Sequence, residues 1–367
     1  MNFLHEVILS VGIDIGTSTT QLIFSRLTIE NQASSYTVPR INIVDKEVIY
    51  RSRIYFTPLR SATEIDAEAV KQIVREEYRA AGITPEELKT GAVIITGETA
   101  RKENANEVLS ALSDLAGDFV VATAGPDLES VLSGRGAGAD VLSHDRRITV
   151  ANLDIGGGTT NIVLFDSGET VGKGCLDIGG RLVRLDRDWT VTYVSPAAAR
   201  VAQAVGVRLE EGARTIQGEL ERVTDKMADL LAQALYLAPQ EPLLKEVRTP
   251  ESTWLELGRR RVERICFSGG VADCIYDPQG DWRAYGDIGV LLGRAIRDSA
   301  AFRSVRLRRG AETIRATVVG AGAYTTNISG STIAYAKELL PIKNVPALKL
   351  SQEEQEACFA GRGGELE

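Results

Sequence analysis

The sequence predicts an α/β protein made of two similar lobes that face each other across a cleft. The stretch IDIGTSTTQLIF begins at Ile13, and the stretch LDIGGGTTNIVLF begins at Leu153. Both contain Asp-Ile-Gly followed two residues later by Thr-Thr, and each opens a region of turn-linked strands followed by alternating helices and strands. A repeat of this length is the size of a domain, whereas stacked arrays repeat at much shorter periods.

The first half begins with a β-hairpin signal. Residues 6–15 and 19–28 are apolar and β-branched, and a run of Gly, Thr and Ser separates them. Residues 63–82 have the pattern of an amphipathic helix, with Thr63 as the expected N-cap and Gly82 as the end. The other elements expected in this half are one or two strands in 40–55, a strand at 91–98, a helix at 103–117, a strand at 118–125 and a helix from Pro126 to 139.

The second half repeats this order. Residues 146–180 predict three strands joined by turns. The elements expected after them are helices at 195–206 and 219–236, a strand at 261–273 that runs into Gly-Gly, a helix at 286–299, and a strand that enters a Gly/Ala-rich helix at 312–326. We expect a first lobe over 1–145 completed by 317–345, a second lobe over 146–316 and a polar tail over 346–367.

Composition excludes several classes of function. The chain has 367 residues, of which 44% are hydrophobic and 25% charged, and its formal net charge is -8. This acidic balance argues against a nucleic-acid partner or an anionic membrane surface. No apolar run is long enough for a membrane span, and the N-terminus, which carries Glu6, lacks the basic region of a signal peptide. The basic runs at 258–264 and 303–310 are expected to be solvated helix or strand-edge charge.

Cysteine and histidine usage narrows the chemistry further. Cys175, Cys266, Cys274 and Cys358 are far apart and form no C-x-x-C pair, which indicates a reduced cytosolic protein without a disulfide framework or zinc site. The chain has only two histidines, so a histidine-based triad or metal site is not expected.

The repeated phrase has the composition of a phosphate-binding turn. Glycines in a turn at the end of buried strands expose backbone N–H groups that can hold an anion. The candidate residues are Gly16, Gly156, Gly157 and Gly158 for backbone approach, and Thr17, Ser18, Thr19, Thr159 and Thr160 for hydroxyl donors. A single such turn is often only a hairpin, but two copies in matching settings favour a shared site.

An aspartate precedes each turn. A carboxylate repels phosphate, so Asp14 and Asp154 make chemical sense beside the turns if a divalent cation, Mg²⁺ with its waters, lies between them and the phosphates. We therefore expect both aspartates to bind the metal and to be needed for catalysis, each from its own lobe.

Two further segments fit such a site. In ICFSGGVAD (265–273), Gly269 and Gly270 could let the base and sugar of a nucleotide lie over bare backbone, although an ordinary β–α turn is the alternative. In ATVVGAGAY (316–324), small residues permit close packing of crossing helices at a hinge, and a tight helix–sheet contact is the alternative.

Together these segments resemble the actin, sugar-kinase and Hsp70 ATPase superfamily. Its two phosphate loops, adenosine loop and two connecting helices correspond here, in chain order, to 12–20, 124–139, 153–161, 266–273 and 317–326. The resemblance spans nearly the whole chain. It implies two RNase H-like lobes, ATP and Mg²⁺ in the cleft, and hinge motion between the lobes.

Longer strings resemble one branch of that superfamily, the ethanolamine ammonia-lyase reactivating factors. These strings are VIITGETARKENANEV (93–108), LDIGGGTTNIVLFDSGE (153–169), GCLDIGGR (174–181), ICFSGGVAD and VVGAGAYTTNISGSTI (318–333). The resemblance implies a chaperone-like ATPase whose client is ethanolamine ammonia-lyase. ATP-driven opening and closing would release damaged cobalamin so that fresh cofactor can enter. It leaves open a homo-oligomer, and either free cytosol or a bacterial microcompartment as the location.

The chain departs from the superfamily at the first connecting helix. Hsp70-like members have Asn-Glu-Pro there, and the Glu orders the attacking water, whereas this chain has Ala124-Gly125-Pro126. Glu98, at the end of the IITGE strand, is a candidate substitute, and a solvated turn acid is its alternative. We therefore expect ATP hydrolysis to be slow or to need the client lyase. Two other functions remain open on the same fold, a small-molecule kinase and a non-catalytic nucleotide-binding scaffold.

Overall fold

The computed structural model describes residues 5–16, 19–31, 41–61, 64–96, 104–105, 107–108, 111–112, 120–123, 125–250, 252–278 and 280–324. The expected helix at 103–117 lies mostly outside these residues, and Thr63, Cys358 and the polar tail at 346–367 lie wholly outside them. All of the described residues belong to one compact unit.

Six strands form the first sheet, in the order β3-β2-β1-β5-β6 with β4 paired to β2. They are β1 (His5–Ile15), β2 (Thr19–Asn31), β3 (Ile41–Arg51), β4 (Tyr55–Phe56), β5 (Leu88–Ile95) and β6 (Val120–Thr123). β1 and β2 are the predicted hairpin, while β5 runs parallel to β1 on its other side.

The second sheet repeats this arrangement in the order β13-β12-β7-β8-β9. Its strands are β7 (Thr149–Ile155), β8 (Thr160–Asp166), β9 (Glu169–Leu176), β12 (Arg264–Ser268) and β13 (Arg306–Leu307). β7 and β8 form a hairpin, and β12 runs parallel to β7. The set β2-β1-β5 in the first sheet therefore has its counterpart in β8-β7-β12. A separate two-stranded sheet, β10 (Val183–Leu185) and β11 (Val191–Val194), was not predicted.

The described residues contain ten α-helices. They are α1 (Ala67–Ala81), α2 (Pro126–Gly136), α3 (Ala139–Arg146), α4 (Pro196–Ala204), α5 (Gln217–Ala234), α6 (Pro242–Glu246), α7 (Ala272–Tyr276), α8 (Gly289–Asp298), α9 (Ala300–Arg303) and α10 (Ala316–Tyr324). Six of these ten match predicted helices, namely α1, α2, α4, α5, α8 and α10, whereas α3, α6, α7 and α9 were not given in the sequence analysis. No helix in these described ranges is long and apolar enough to cross a membrane.

Two local expectations were wrong. The N-cap of α1 is Asp66 rather than Thr63, since the Asp66 carboxylate accepts a hydrogen bond from the Ala69 N–H at 3.0 Å. The predicted strand ahead of α10 is absent from the described residues, because 312–315 form turns. The strand that extends this sheet is the short β13, which lies in the basic run at 303–310.

Two helices lie between the sheets and touch each other. α10 packs on β1, β2 and β5 of the first sheet, and α2 packs on β7, β8 and β9 of the second. Glycines make the crossing close: a Cβ on Gly136 would lie 1.7 Å from the Ala316 carbonyl oxygen, and a Cβ on Gly320 would lie 1.9 Å from that of Leu132. The small residues of α10 therefore serve a helix crossing, and Gly12 of β1 also approaches α10 at Val318.

Candidate functional site

A cavity of about 580 Å³ lies where the two copies of the repeated phrase meet. Both aspartates and both turns contribute to its wall, so the structure brings together the residues that the sequence repeat singled out. The predicted residues that line it are Asp14, Gly16 and Thr19 from the first copy, Asp154, Gly156, Gly157, Gly158 and Thr159 from the second, and Gly269 and Gly270.

The two turns are closed by the same backbone hydrogen bond. The Gly16 N–H donates to the Thr19 carbonyl at 2.9 Å, and the Gly156 N–H donates to the Thr159 carbonyl at 2.9 Å. Asp14 is paired in register with Gln21 across the first hairpin, and Asp154 is paired with Asn161 across the second. Equal spacing in the sequence has therefore produced equivalent positions in the two sheets.

Each aspartate is held by a hydroxyl group from the neighbouring parallel strand. The Thr96 hydroxyl donates to Asp14 Oδ1 at 2.9 Å, and the Ser268 hydroxyl donates to Asp154 Oδ1 at 2.5 Å. Thr96 directly follows β5, and Ser268 ends β12. Since β5 and β12 occupy equivalent positions in their sheets, the carboxylates have equivalent supports as well as equivalent locations.

Both carboxyl groups are buried, and burial changes their acidity. Burial raises the pKa of Asp14 to about 7, and the nearby Asp154 carboxylate adds to the increase, while hydrogen bonds from Thr96 and Gln21 oppose it. Burial raises the pKa of Asp154 to about 6 against hydrogen bonds from Ser268 and Thr317. A cation placed beside the pair would compensate both the desolvation and the mutual repulsion.

The glycines of the cavity fall into two groups, one required by the backbone fold and one that leaves open space for a ligand. Gly269 is required by the fold, because its φ is +83° and a Cβ would lie 2.4 Å from the Ile155 carbonyl oxygen. At Gly158 and Gly270, by contrast, a Cβ would meet no atom within 4 Å, and neither residue has a positive φ. The missing side chains there leave open space at the cavity wall, which suits close approach of a ligand to the backbone.

The charge of the lining fits a metal-bound polyphosphate better than a free anion. The carboxylates of the lining are those of Asp14, Glu129, Asp154, Asp273 and Asp287, and among the described lining residues the only cationic side chain is Arg181. The described part of the chain has no group of three or more His, Cys, Asp or Glu that could hold a metal ion alone. Mg²⁺ suits this donor set, because it commonly takes one or two carboxylates and completes its shell with phosphates and water.

A buried amide oxygen also points to a missing partner. Gln21 lines the cavity, and its Nε2 donates to the Ile314 carbonyl at 3.1 Å. Its Oε1 is buried without a hydrogen-bond partner among the described residues. Since buried polar atoms are nearly always hydrogen-bonded, this oxygen fits contact with a ligand or a metal-bound water.

Thr160 requires a correction, and three other predicted residues cannot be placed. The Thr160 side chain is fully buried away from the cavity, and its hydroxyl donates to the Ile178 carbonyl at 2.7 Å. It therefore braces the turn instead of supplying a donor to phosphate. Thr17, Ser18 and Glu98 lie outside the described residues.

Several lining residues were missed by the sequence reasoning. Gln21 could have been found from its hairpin register with Asp14, but Thr96 and Thr317 come from segments distant in sequence. Glu129 projects into the cavity from the first turns of α2. Two exposed aromatic side chains, Phe56 and Tyr285, also line the cavity.

Comparison with solved structures shows the fold. A member of the Ppx/GppA protein family from Aquifex aeolicus superposes with a TM-score of 0.53 at 14% identity, covering 88% of this chain and 100% of that chain. A second Aquifex aeolicus structure, a PPX-GPPA enzyme, gives a TM-score of 0.50 at 16% identity over 86% of this chain and 99% of that chain. The fold is that of the actin-like ATPases, as predicted.

Sequence comparison identifies the family. The ethanolamine ammonia-lyase reactivase EutA of Escherichia coli (strain K12) is 42% identical over 344 residues, which are 92% of this chain and 72% of the relative. The protein of the same name from Salmonella typhimurium (strain LT2) is 40% identical over 355 residues, covering 97% of this chain and 75% of the relative. The chain belongs to the family described as ethanolamine utilisation protein EutA, which matches residues 6–362.

Proposed function

We propose that this chain is an ATP-dependent reactivating factor for ethanolamine ammonia-lyase. It would release damaged cobalamin from the lyase so that intact cofactor can rebind. The name of its relatives, ethanolamine ammonia-lyase reactivase, supports the client. The single observation that carries the nucleotide dependence is the pair of equivalent aspartate turns, at Asp14 and Asp154, lining one cavity.

We assign the first lobe to 1–145 completed by 317–345, the second lobe to 146–316 and a tail to 346–367. Two features support this division. The first sheet is built from strands that precede residue 145, and the second from strands that follow it. α10, most of which lies in the segment assigned to complete the first lobe, packs on the first sheet.

The cavity residues divide the work of holding Mg–ATP. Asp14 and Asp154 would bind Mg²⁺ together with its water ligands. The glycine turns that follow them would donate backbone N–H groups to the phosphates. Gly269 and Gly270 would border the sugar and base. When bound, Mg–ATP would supply the free energy of phosphate hydrolysis to the cycle.

Glu129 is the residue we assign to orient the attacking water, in place of the carboxylate that Ala124-Gly125-Pro126 lacks. It lines the same cavity as both aspartates. Asp127, on the same turn of α2, cannot do so, because its carboxylate accepts hydrogen bonds from Ser252 and Thr253 and lies 3.4 Å from Lys173 Nζ. Glu98 is the alternative that the sequence suggested.

Nucleotide would act on the client by favouring one arrangement of the lobes over the other. α2 and α10 are the elements that would transmit this preference. They pack on different sheets and cross each other, and the cavity lining includes Glu129 of α2 and Thr317 of α10.

Reactivation of the client tests the proposal directly. Inactivated ethanolamine ammonia-lyase is incubated with the protein, ATP, Mg²⁺ and fresh adenosylcobalamin, and ammonia release is followed. We expect recovery with the wild-type protein and none with Asp14→Ala or Asp154→Ala. Full recovery with either variant would exclude the replaced aspartate from the nucleotide site. Transfer of γ-phosphate to a metabolite would favour the kinase, and nucleotide-dependent sedimentation without reactivation would favour the scaffold.

A further inference from the structure

A short segment beside the cavity exposes several apolar side chains. It runs from Ile54 to Leu59, after β3, and we call it the rim segment. Ile54 is 41% exposed, Phe56 80% and Leu59 47%. Single exposed apolar residues are ordinary, but three within six positions form a concentration that a soluble surface rarely carries without a partner.

The rim segment is fixed in place at several points along its length. At its start, the Ser52 N–H donates to the Leu22 carbonyl at 3.0 Å, and the Leu22 N–H donates to Ser52 Oγ at 2.8 Å. At its end, Leu59 bridges Ile65, and the Asp66 N–H donates to the Pro58 carbonyl at 3.0 Å. The apolar side chains are therefore presented on a preorganised backbone, which lowers the entropy cost of binding a partner.

The charged residues on either side of these side chains in the sequence are basic, although Phe56 itself also lines the carboxylate-rich cavity. Arg53 and Arg60 are exposed on either side of the apolar residues, and no acidic residue occurs between positions 51 and 63. The chain as a whole carries a formal net charge of -8, so this local excess of cations is unusual for it. A partner complementary to the rim segment would combine apolar side chains with carboxylates.

The rim segment is also bonded to the first phosphate turn. The Thr57 hydroxyl donates to the Gly16 carbonyl at 2.7 Å, and Phe56 pairs with Thr19 between β4 and β2. Phe56 lines the cavity as well. A change in the turn between Gly16 and Thr19 when a ligand is bound would therefore reach the exposed apolar residues through one hydrogen bond and one strand pair.

We propose that the rim segment docks an acidic, apolar stretch of the client lyase, with nucleotide controlling its affinity. The inference rests on the proposed function, because the coupling needs a nucleotide at the Gly16 turn. The client is the occupant we choose since a reactivating factor requires a client-binding surface that responds to nucleotide, and this surface is bonded to the nucleotide turn itself.

The test measures binding of the full-length chain to inactivated ethanolamine ammonia-lyase, immobilised on a biosensor surface, with Mg–ATP or Mg–ADP present. In the variant Ile54→Ser/Leu59→Ser we expect the Kd for the lyase to rise at least about tenfold, since removing two apolar contacts of an interface has effects of this size. Basal ATP hydrolysis should not change, because neither residue lines the cavity. Ile216→Ser is the matched control, as this side chain is 65% exposed at the start of α5.

A second variant, Arg53→Glu/Arg60→Glu, tests whether the basic residues of the surface contribute to lyase binding. It also tests the docking surface in the event that the serine variant does not fold. We expect it to weaken lyase binding and to reverse its dependence on salt, because added salt would then screen a repulsion instead of an attraction. Unchanged Kd values in the folded variants would overturn the docking surface and leave the proposed function standing. If the variants lose self-association of this chain but keep their affinity for the lyase, the proposal is overturned, and the surface binds a second copy of this chain instead. A wild-type protein that never binds the lyase would overturn both proposals.

Discussion

At the scale of single residues, the two buried aspartates determine how the cavity responds to pH. Asp14 is 6% exposed, and its pKa is raised from 3.8 to about 7. The unfolded chain loses the Asp14 proton near pH 4, while the folded chain keeps it until about pH 7. The folded state therefore binds more protons in this interval, so the free energy of unfolding falls as pH rises through it.

Asp14→Asn should therefore stabilise the nucleotide-free protein. Asparagine has nearly the same shape and can still accept the Thr96 hydrogen bond, but it has no charge to desolvate. We expect the Tm of the variant to exceed that of the wild type by an amount that grows from about pH 4 to pH 7 and is then constant. Differential scanning calorimetry across this range measures it.

The control for this prediction is Asp188→Asn, which changes a carboxylate in an exposed turn. A Tm difference for Asp14→Asn that stays flat from pH 4 to pH 7, or one of the opposite sign, would contradict the raised pKa. The same variant should fail in client reactivation, because the metal site that we propose would lose one of its two carboxylates.

At the scale of elements, the crossing of α2 and α10 is the contact that joins the helices packed on the two sheets. It depends on glycine, since a Cβ at Gly136 or Gly320 would overlap backbone atoms of the opposite helix. Backbone cannot be moved aside as a flexible side chain can, so the two helices must separate if either glycine gains a side chain.

Gly320→Ala should lower the free energy of unfolding by about 2 kcal/mol or more, in the range typical of overpacking. Gly218→Ala is the matched control. This glycine lies in the first turn of α5, and a Cβ there meets no atom within 4 Å. Alanine is the better helix former, so the control should be neutral or stabilised by up to about 1 kcal/mol. Urea unfolding measures both, and equal stabilities would contradict the tight crossing.

The elements that sequence predicted well are those with local signals. The hairpin of β1 and β2 and the hairpin of β7 and β8 alternate apolar runs with glycine-rich turns, and both were confirmed. β10 and β11 were missed because they are short. Residues 312–315 were wrongly predicted as a strand because Ile314 and the β-branched residues that begin α10 together resemble one. Asp14 and Asp154 stood out because the phrase is repeated, whereas Thr96 and Ser268 reach them through parallel strand pairing, which leaves no local signal.

At the scale of the whole molecule, a reactivating cycle needs nucleotide binding and nucleotide hydrolysis as separate steps. We propose that the two aspartate turns serve the first. Glu129 of α2 is assigned to the second, and it lies on the helix that packs against the second sheet and crosses α10. Removing its charge should therefore stop the cycle after binding and leave the fold intact.

Glu129→Gln should lower kcat for ATP hydrolysis by about 10²-fold or more, the usual contribution of a positioned general base. The Kd for Mg–ATP should stay within a few-fold of the wild type, and client reactivation should be lost. Single-turnover phosphate release and calorimetry measure the two quantities. Asp127→Asn is the control on the same helical turn, and its kcat should be near that of the wild type. An unchanged kcat in Glu129→Gln would contradict the assignment of Glu129 and leave Glu98 as the candidate that orients the attacking water.

The equivalent hydroxyl supports of the two aspartates have a mechanical consequence. Thr96 fixes Asp14 to the first sheet and Ser268 fixes Asp154 to the second, so in the proposed site neither sheet would hold the metal by itself. If binding of the lyase moves one sheet away from the other, the distance between the two carboxylates increases and nucleotide dissociates faster. By thermodynamic reciprocity, a lyase that lowers the affinity for nucleotide must itself be bound more weakly, by the same factor, when nucleotide is present.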